Sequence, residues 1–256
     1  MLRTILITGA SSGIGKALAL HYARQGARLA LLARDGARLQ AVADECRELG
    51  GHPTCGLADV RERSALMDWI LSLDRETPID LVIANAGRTT GTPPGGQIEP
   101  GAAAYEIVES NVLGVLNTVQ PLLAPMMARR RGQIAIISSL AAFLPLPDSP
   151  SYCASKSAVL SYGLALRTLL APYRIGVTVV CPGYIETPMM QRESGTKPFK
   201  MTAERAAVVI ANALVRDPPV LAFPFWLAMA TRLHGMLPDP LRARLLRAMR
   251  FTVSDT

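Results

Sequence analysis

The chain has 256 residues, of which 50% are hydrophobic, 18% are charged and only 5% are aromatic. This balance excludes a largely disordered chain and predicts an aliphatic core, as found in a sheet covered by helices on both faces. The net charge of +7 is compatible with a nucleic acid, a membrane surface or an anionic ligand as partner. Because the basic residues do not interleave with aromatic ones, the sequence argues against nucleic-acid binding.

The cysteines and histidines form neither a metal-binding nor a disulfide pattern. The four cysteines, Cys46, Cys55, Cys153 and Cys181, contain no C-x-x-C pair, and none of the three histidines stands at a ligand spacing from them. We therefore expect no bound metal, and reduced thiols in a cytoplasmic protein. The first residues run directly into a strand and a glycine turn, so we also expect no cleavable signal peptide.

Short β-rich runs alternate along the chain with longer stretches of helical periodicity. The predicted strands are Thr4–Thr8, Arg28–Ala33, Pro53–Leu57, Leu81–Asn85, Gln133–Ser138 and Gly176–Cys181. The predicted helices between them are Gly13–Gln25, Asp35–Leu49, Glu62–Thr77, Ala102–Arg130 and Tyr152–Ala171. This alternation predicts an α/β fold with a doubly wound parallel sheet, in which ligands bind at the carboxyl ends of the strands.

One uncharged run, residues 110–128, approaches the length of a membrane span. It contains the polar residues Asn111, Asn117 and Gln120 and the prolines Pro121 and Pro125. We therefore interpret this run as a buried helix of a soluble protein rather than as a membrane span.

Glycine and polar residues follow directly after the six predicted strands. In chain order they are Gly9, Arg34, Asp59, Asn85-Ala86-Gly87, Ser139 and Pro182-Gly183. Because the carboxyl ends of parallel strands share one edge of a sheet, we expect these residues to contribute to one site.

The segment Thr8–Gly15, of sequence TGASSGIG, joins the first strand to the first helix. Its glycines permit left-handed backbone and let a pyrophosphate approach main-chain N–H groups. The helix N-terminus adds a partial positive charge. The spacing is G-x-x-x-G-x-G rather than the commoner G-x-G-x-x-G, and an ordinary glycine turn would use the same residues. Its place directly after the first strand favours dinucleotide binding.

The end of the second strand indicates which dinucleotide binds. An acidic residue there accepts hydrogen bonds from the ribose of NAD, whereas Arg34 is suited to the 2′-phosphate of NADP. Ser11 or Ser12 is placed to donate a further hydrogen bond. Asp35 complicates this interpretation, but it precedes a helix and is a good N-cap. We therefore predict NADP rather than NAD, with a solvated surface charge as the alternative role of Arg34.

A tyrosine and a lysine are placed to carry acid–base chemistry. Tyr152 and Lys156 are four residues apart, so both side chains lie on one face of a helix. A lysine ammonium about 4 Å from the phenol, at an effective dielectric of about 20, contributes about 4 kcal/mol, or roughly three pKa units. That shift brings a phenol with a pKa of about 10 near neutrality.

Two further polar residues complete the predicted catalytic group. Ser139 directly follows the predicted fifth strand and is placed to hydrogen-bond a substrate oxygen. Strand alternation puts Ser138 on the opposite face of the sheet. Asn111 is a polar residue in an apolar helical stretch. It is either a core amide whose hydrogen bonds are satisfied or the anchor of a water molecule in a proton relay that ends at Lys156.

Taken together, these motifs resemble the short-chain dehydrogenase/reductase family over about residues 3–190. Five motifs occur in the family's order, and although each one is weak, the combination is specific. They are Thr8–Gly15; Asp59-Val60; Asn85-Ala86-Gly87; Ser139 with Tyr152 and Lys156; and Pro182-Gly183 followed by Thr187. The resemblance implies a Rossmann-type sheet of about seven parallel strands, and hydride transfer between a nicotinamide and a carbonyl or alcohol carbon. The family's Asn-Asn-Ala-Gly begins here with Ala84, a mild departure that affects strand stability more than chemistry.

The resemblance also implies a role for each site residue. Tyr152 is the general acid/base, and Lys156 lowers the pKa of the phenol and binds the nicotinamide ribose. Ser139 orients the substrate oxygen, and Asn111 completes a tetrad. The implied cofactor-binding residues, besides Tyr152 and Lys156, are Gly9, Ser11, Ser12, Gly13, Ile14, Gly15, Arg34, Asp59, Val60, Asn85, Ala86, Gly87, Pro182, Gly183, Ile185 and Thr187.

The rest of the chain is expected to shape the substrate pocket. We expect a single domain with a nucleotide-binding core over residues 1–185, a mobile lid over 186–202 and a helical tail over 203–256. In the lid, Met189, Met190 and Phe199 indicate an apolar substrate, with ordinary packing as their alternative role. In the tail, a helix over Leu241–Phe251 is predicted to place apolar residues opposite arginines: Leu241, Leu245, Ala248 and Met249 against Arg244, Arg247 and Arg250. Such a helix packs on its own domain or on a second subunit, or lies on anionic lipid.

The sequence therefore predicts an NADP-dependent oxidoreductase that acts on a ketone or secondary alcohol, with an apolar or lipid-like substrate. The alternative is a sensor or scaffold protein that binds NADP without turnover. Family habit implies a homodimer or homotetramer that pairs the helices near residues 102–130 and 152–171. We expect a cytoplasmic protein, with the C-terminal tail as the candidate for peripheral membrane contact.

Overall fold

The computed structural model describes residues 3–96, 98–191, 194–235, 237–248 and 252–253. Its strands are β1 Thr4–Thr8, β2 Arg28–Ala33, β3 His52–Leu57, β4 Leu81–Ala84, β5 Gly132–Ile137, β6 Ile175–Pro182, β7 Ile185–Glu186, β8 Met201–Thr202 and β9 Val220–Phe223. Seven of them form a parallel sheet in the order β3-β2-β1-β4-β5-β6-β9. The predicted doubly wound sheet of about seven parallel strands is confirmed.

Helices cover both faces of this sheet. The α-helices of the described residues are α1 Gly13–Ala23, α2 Gly36–Glu48, α3 Arg63–Glu76, α4 Gly101–Val108, α5 Gly114–Arg129, α6 Pro150–Leu170, α7 Pro188–Gln191, α8 Ala203–Arg216, α9 Phe225–His234 and α10 Asp239–Ala248. Successive side chains of β1 point to opposite faces, so Ile5 and Ile7 join the core under α1, α2 and α8. Leu6 joins the core under α3, α5 and α6. The aliphatic composition therefore fills two separate layers of helix–sheet packing.

The long helix predicted over Ala102–Arg130 is interrupted. It consists of α4, a π-helical turn at Glu109–Leu113 and α5. The turn contains the buried Asn111, whose side chain bonds to backbone and side-chain groups of neighbouring segments. A π-helical turn inserts one extra residue and rotates the helix face, which turns this amide inward.

The segment predicted as a helical tail contains a strand. Residues 203–248 include three helices, and β9 lies between α8 and α9 and forms the edge of the sheet beside β6. The run Val220–Phe223 is short and apolar, and such a run is ambiguous between strand and helix by periodicity alone. Within the described part of the chain, none of the helices combines the length and the hydropathy that crossing a bilayer requires.

The predicted tail helix over Leu241–Phe251 begins earlier, at Asp239. Leu241 is exposed on it, and Arg244 is also exposed. Met249, Arg250 and Phe251 lie outside the described residues, as do the side chains of Leu245, Arg247 and Ala248. The predicted separation of apolar and basic faces therefore stays a prediction.

Candidate active site

A cleft of about 680 Å³ runs along the carboxyl ends of the strands. Eighteen of the twenty predicted site residues line it: Gly9, Ser11, Ser12, Gly13, Ile14, Arg34, Asp59, Val60, Asn85, Ala86, Gly87, Ser139, Tyr152, Lys156, Pro182, Gly183, Ile185 and Thr187. Gly15 and Asn111 do not line it, and both pack behind its wall. The shared sheet edge therefore brings together residues from five separate motifs, as expected.

The turn between β1 and α1 has the geometry of a phosphate-binding loop. Gly9 and Gly13 have φ of +65° and +53°, which favours glycine at both positions. A Cβ at Gly15 would overlap the carbonyl oxygen of Gly9 and come within 2.6 Å of Asn85 Nδ2. The backbone can pass this closely only without a side chain, and the N-terminus of α1 points its partial positive charge into the cleft. These features fit the pyrophosphate of a dinucleotide.

Asn85 fastens this turn from the neighbouring strand. Its Nδ2 donates to Thr8 O at 2.9 Å and to Gly9 O at 3.3 Å. In return, Thr8 Oγ1 accepts hydrogen bonds from the backbone N–H groups of Asn85 and Ala86, each at 3.1 Å. Asn85 was predicted to line the site, and in the structure it also holds the glycine turn in place. The positioning role of Thr8 was missed, because only its place in the motif was visible in the sequence.

The rim of the cleft beside β2 is basic. Arg34 is 59% exposed at its side chain, and its Nη1 lies 3.6 Å from Asp59 Oδ2. Arg61 contacts the same carboxylate at 2.9 Å. Partial burial by itself raises the pKa of Asp59, but hydrogen bonds from Arg61 and the charges of Arg61 and Arg34 lower it overall. Asp59 is therefore a carboxylate held between two guanidinium groups.

Asp35 has the N-cap role that was predicted for it. Its Oδ1 accepts a hydrogen bond from Arg38 N at 3.0 Å, and its other oxygen lies 3.1 Å from Arg38 Nε. The carboxylate is thus committed to the start of α2. Arg38 also lines the cleft, and sequence reasoning missed it because a residue one turn inside a helix carried no signal of its own.

Tyr152 and Lys156 meet in the cleft, as their spacing on α6 predicted. Lys156 Nζ lies 5.6 Å from the centre of the Tyr152 ring. Nζ also donates to Ile137 O, at 3.1 Å, at the end of β5. Burial lowers the pKa of Lys156 to about 8, so the ammonium loses its charge as the pH rises through about 8.

The two serines after β5 have different surroundings, as strand alternation predicted. Ser138 is buried, and its Oγ donates to Lys156 O at 2.8 Å, which holds α6 against the sheet. Ser139 is half-buried in the cleft, and its Oγ accepts from Ala141 N at 3.1 Å. An oxygen that accepts from a backbone N–H keeps its own hydrogen for a ligand.

Asn111 matches the description of a satisfied core amide. Its Oδ1 accepts from Arg88 N at 2.8 Å, and its Nδ2 donates to Arg88 O at 3.0 Å and to Ser155 Oγ at 3.1 Å. Ser155 in turn donates to Tyr152 O at 2.7 Å. Asn111 therefore connects the loop after β4 to the turn of α6 that carries the tyrosine. Its role in a proton relay stays a prediction.

The far end of the cleft is built by residues that sequence reasoning largely missed. Besides the predicted Met189 and Met190, it is lined by Leu140, Leu144, Leu146, Ser149, Tyr184, Leu227 and Thr231. The prediction for Phe199 is wrong, because this residue is 61% exposed and does not line the cleft. Leu227 and Thr231 lie four residues apart on α9, a spacing that would have indicated one helix face had the bounds of this helix been predicted. Among the described residues, no group of three or more His, Cys, Asp and Glu side chains is placed to hold a metal ion.

Comparisons with known proteins agree with this geometry. The family model described as short chain dehydrogenase matches residues 3–198. A protein of Myxococcus xanthus named "Uncharacterized oxidoreductase" is 34% identical, over 97% of this chain and 98% of its own.

Two solved structures resemble the fold over 97% of this chain. A short-chain dehydrogenase from Sphingobium yanoikuyae in complex with NADPH has a TM-score of 0.80 and 28% identity, with 97% of its own chain covered. A bulky-bulky ketone specific alcohol dehydrogenase from Comamonas testosteroni has a TM-score of 0.79 and 28% identity, with 95% covered. The chain therefore belongs to the short-chain dehydrogenase family and is an NAD(P)-dependent oxidoreductase that acts on CH–OH and C=O groups.

Proposed function

We propose that this enzyme uses NADP(H) to interconvert a bulky, apolar ketone and its secondary alcohol. The observation that carries the proposal is the convergence of Ser139, Tyr152 and Lys156 in one cleft with the glycine turn Gly9–Gly15. The residues that line the strand ends from Arg34 to Lys156 would hold a dinucleotide. The apolar end of the cleft then receives the substrate.

Each catalytic group has a task that its surroundings support. When bound, the nicotinamide supplies or accepts a hydride at the carbonyl carbon. Ser139 donates a hydrogen bond to the substrate oxygen and holds it beside Tyr152, which gives or takes the proton. The Lys156 ammonium favours the ionised phenol by its charge. Asn111 is a positioning residue that holds α6 through Ser155.

The preference for NADP rests on the rim beside β2. Two exposed guanidinium groups, Arg34 and Arg38, line this part of the cleft. A 2′-phosphate forms charge-assisted hydrogen bonds with such groups. Asp35, the carboxylate at the position where an NAD-binding acid is expected, is committed to the N-cap of α2. The Asp59 carboxylate is shared by Arg34 and Arg61, and it would contact the adenosine side of the nucleotide.

The preference for an apolar substrate rests on the far end of the cleft. Its aliphatic and thioether side chains come from the turn after β5, from α7 and from α9, and they are Leu140, Leu144, Leu146, Met189, Met190 and Leu227. Burial of such surface against a ligand stabilises binding by roughly 25 cal/mol per Å². The Comamonas testosteroni alcohol dehydrogenase, which is specific for bulky ketones, agrees with this proposal.

A panel of ketones of increasing size, assayed with NADPH and with NADH, tests the proposal. We expect turnover with NADPH, with kcat/KM rising from small methyl ketones to ketones that carry two large groups. Equal kcat/KM with NADH would contradict the cofactor assignment, and a preference for small or charged substrates would contradict the substrate class. A pure nucleotide sensor would bind NADPH without consuming it in the presence of any of these ketones.

We further propose that the enzyme is a cytoplasmic homodimer or homotetramer that assembles through the α4–α6 region. Large apolar side chains are exposed there, among them Tyr105, Leu113, Leu164 and Leu169. Such residues are typical of subunit interfaces. Sedimentation velocity should show an assembly larger than one chain, and Leu169→Glu should shift it towards the monomer.

We also propose that α9 and α10 contact an anionic membrane surface. The outer face of α9 exposes Phe225, Trp226 and Leu233, with Trp226 72% exposed. The exposed arginines Arg232 and Arg244 lie on α9 and α10. Aromatic side chains flanked by arginine favour the interface of anionic lipid. We expect co-sedimentation with vesicles that contain phosphatidylserine, and loss of it in Trp226→Ser. Binding unchanged by that substitution would contradict the contact.

A further inference from the structure

The last described residues of the chain, Thr252 and Val253, lie between two walls of the substrate end of the cleft. One wall is the loop after β4, of which Arg88 and Thr89 line the cleft. The other is the segment after β7, of which Met189 and Met190 line it. Neither wall belongs to the central sheet, so its position depends on contacts with other segments.

Val253 binds the first wall. Its N–H donates to Thr92 O at 2.9 Å, and its side chain is only 4% exposed. It packs so closely on Gly91 that a Cβ at Gly91 would come within 2.7 Å of Val253 Cγ2. A backbone hydrogen bond and a buried side chain therefore both hold Val253 against this loop.

Thr252 binds the second wall. Its N–H donates to Ser194 Oγ at 2.8 Å, and its carbonyl oxygen accepts from Ser194 N at 2.8 Å. The two hydroxyl groups also lie 2.8 Å apart. Ser194 follows α7, which carries both cleft-lining methionines. Two consecutive residues thus fasten one wall each, and we call Thr252–Val253 the clasp.

The first wall is in turn attached to the start of the catalytic helix. Thr92 N donates to Asp148 O at 2.8 Å, and Ser149 Oγ donates to Thr90 O. Asp148 and Ser149 directly precede α6, whose third residue is Tyr152. The clasp therefore joins the methionine wall to a loop whose position is already fixed relative to the phenol.

We propose that the clasp determines substrate preference by holding these two walls at a fixed separation around a bulky ketone. The inference rests on the proposed function for its substrate class and deepens it by naming residues outside the cleft that set its width. Thr252 and Val253 are positioning residues, since neither lines the cleft. A small ketone occupies only the end near Ser139 and Tyr152 and is indifferent to the separation.

The first test measures whether the walls are coupled, and it requires neither cofactor nor substrate. Val253→Asp places a charge in a buried apolar site and should release the clasp without touching the sheet. In amide hydrogen exchange of the full-length protein, we expect about tenfold faster exchange in both residues 88–96 and 187–191. Val215→Asp, the same change at an exposed valine on α8, should leave both segments unchanged. Faster exchange in only one wall, or in neither, overturns the proposal.

The second test measures selectivity. Ser194→Ala removes the Oγ that accepts from Thr252 N and is a milder way to weaken the clasp. For Val253→Asp we expect the KM of a ketone with two large groups to rise about fivefold, because lost wall contacts weaken binding of the larger ligand only. The value of kcat and the KM values of NADPH and of a small ketone should stay within about twofold of those of the wild type. Ser194→Ala should change the same KM in the same direction by less.

Coupled exchange with unchanged selectivity also overturns the proposal. Wild-type protein that turns over no ketone would instead contradict the proposed function, and the exchange experiment distinguishes the two failures.

Discussion

The two ends of the cleft are built in different ways. At the nucleotide and catalytic end, the functional groups lie within two residues of the ends of central strands, as Gly9, Arg34 and Ser139 do, or on the long helix α6. At the substrate end, the lining comes from loops, from α9 and from segments that the clasp holds together. The first end is positioned by the core itself, whereas the second depends on contacts between peripheral segments. The central sheet therefore fixes the positions of the catalytic groups, whereas changes in the peripheral segments can alter substrate preference without disturbing them.

If the core of the fold positions the catalytic groups, removing one hydroxyl group at the catalytic end should lower kcat more than any other change considered below. Tyr152→Phe should lower kcat by about 10²–10⁴-fold, because it removes the proton donor and leaves the packing intact. NADPH binding, followed by fluorescence, should remain. The matched control is Tyr162→Phe on the same helix, which loses only a hydrogen bond from Gln120. Comparable turnover of Tyr152→Phe and this control would remove Tyr152 from the mechanism.

A change in the glycine turn tests whether the nucleotide end tolerates any added volume. Gly15→Ala should destabilise the protein by about 1–3 kcal/mol, since the new Cβ overlaps Gly9 O and Asn85. NADPH binding should weaken with it. Gly101→Ala, where a Cβ meets nothing within 4 Å, serves as the control. Thermal unfolding and NADPH titration measure both effects, and a Gly15→Ala protein as stable as the control would refute the close packing of the turn.

Removing a positive charge from the rim beside β2 should weaken binding of NADPH and leave binding of NADH unchanged. Arg34→Ser is expected to raise the KM of NADPH about tenfold, the cost of one charge-assisted hydrogen bond, and to leave the KM of NADH nearly unchanged. Arg47→Ser removes an exposed arginine of α2 that is paired with Asp44, and should change neither value. Steady-state kinetics with both cofactors decides the matter. An equal change in the KM of both cofactors would mean that Arg34 does not bind the 2′-phosphate.

The smallest effect is expected at the substrate end, where single contacts contribute little. Leu227→Ala should raise the KM of a bulky ketone about threefold to fivefold by removing apolar contact, with kcat nearly constant. Leu233→Ala alters the exposed outer face of the same helix and should have no such effect. A loss of kcat in Leu227→Ala larger than the rise in KM would show that α9 acts on the chemistry.

The same division explains how much of the molecule could be predicted from the sequence. Strands β1 and β2 coincide with their predicted bounds, because an apolar run ended by glycine or arginine has sharp limits. The residues following the strands were found by their position alone. The π-helical turn around Asn111 was missed because it arises from tertiary hydrogen bonds, not from local periodicity. The clasp was missed because its partners, Thr92 and Ser194, are far away in the sequence.

The central claim is that the Lys156 ammonium and the Tyr152 phenol act together, and the pH dependence of ketone reduction tests it most directly. Burial lowers the pKa of Lys156 to about 8, so the lysine is charged below that pH and neutral above it. The rate of reduction under single-turnover conditions should therefore fall as the pH rises through about 8. In Lys156→Met the rate should be low and should lack this step. A wild-type rate that stays constant through this pH range, or a Lys156→Met variant with the same pH profile, would contradict the account.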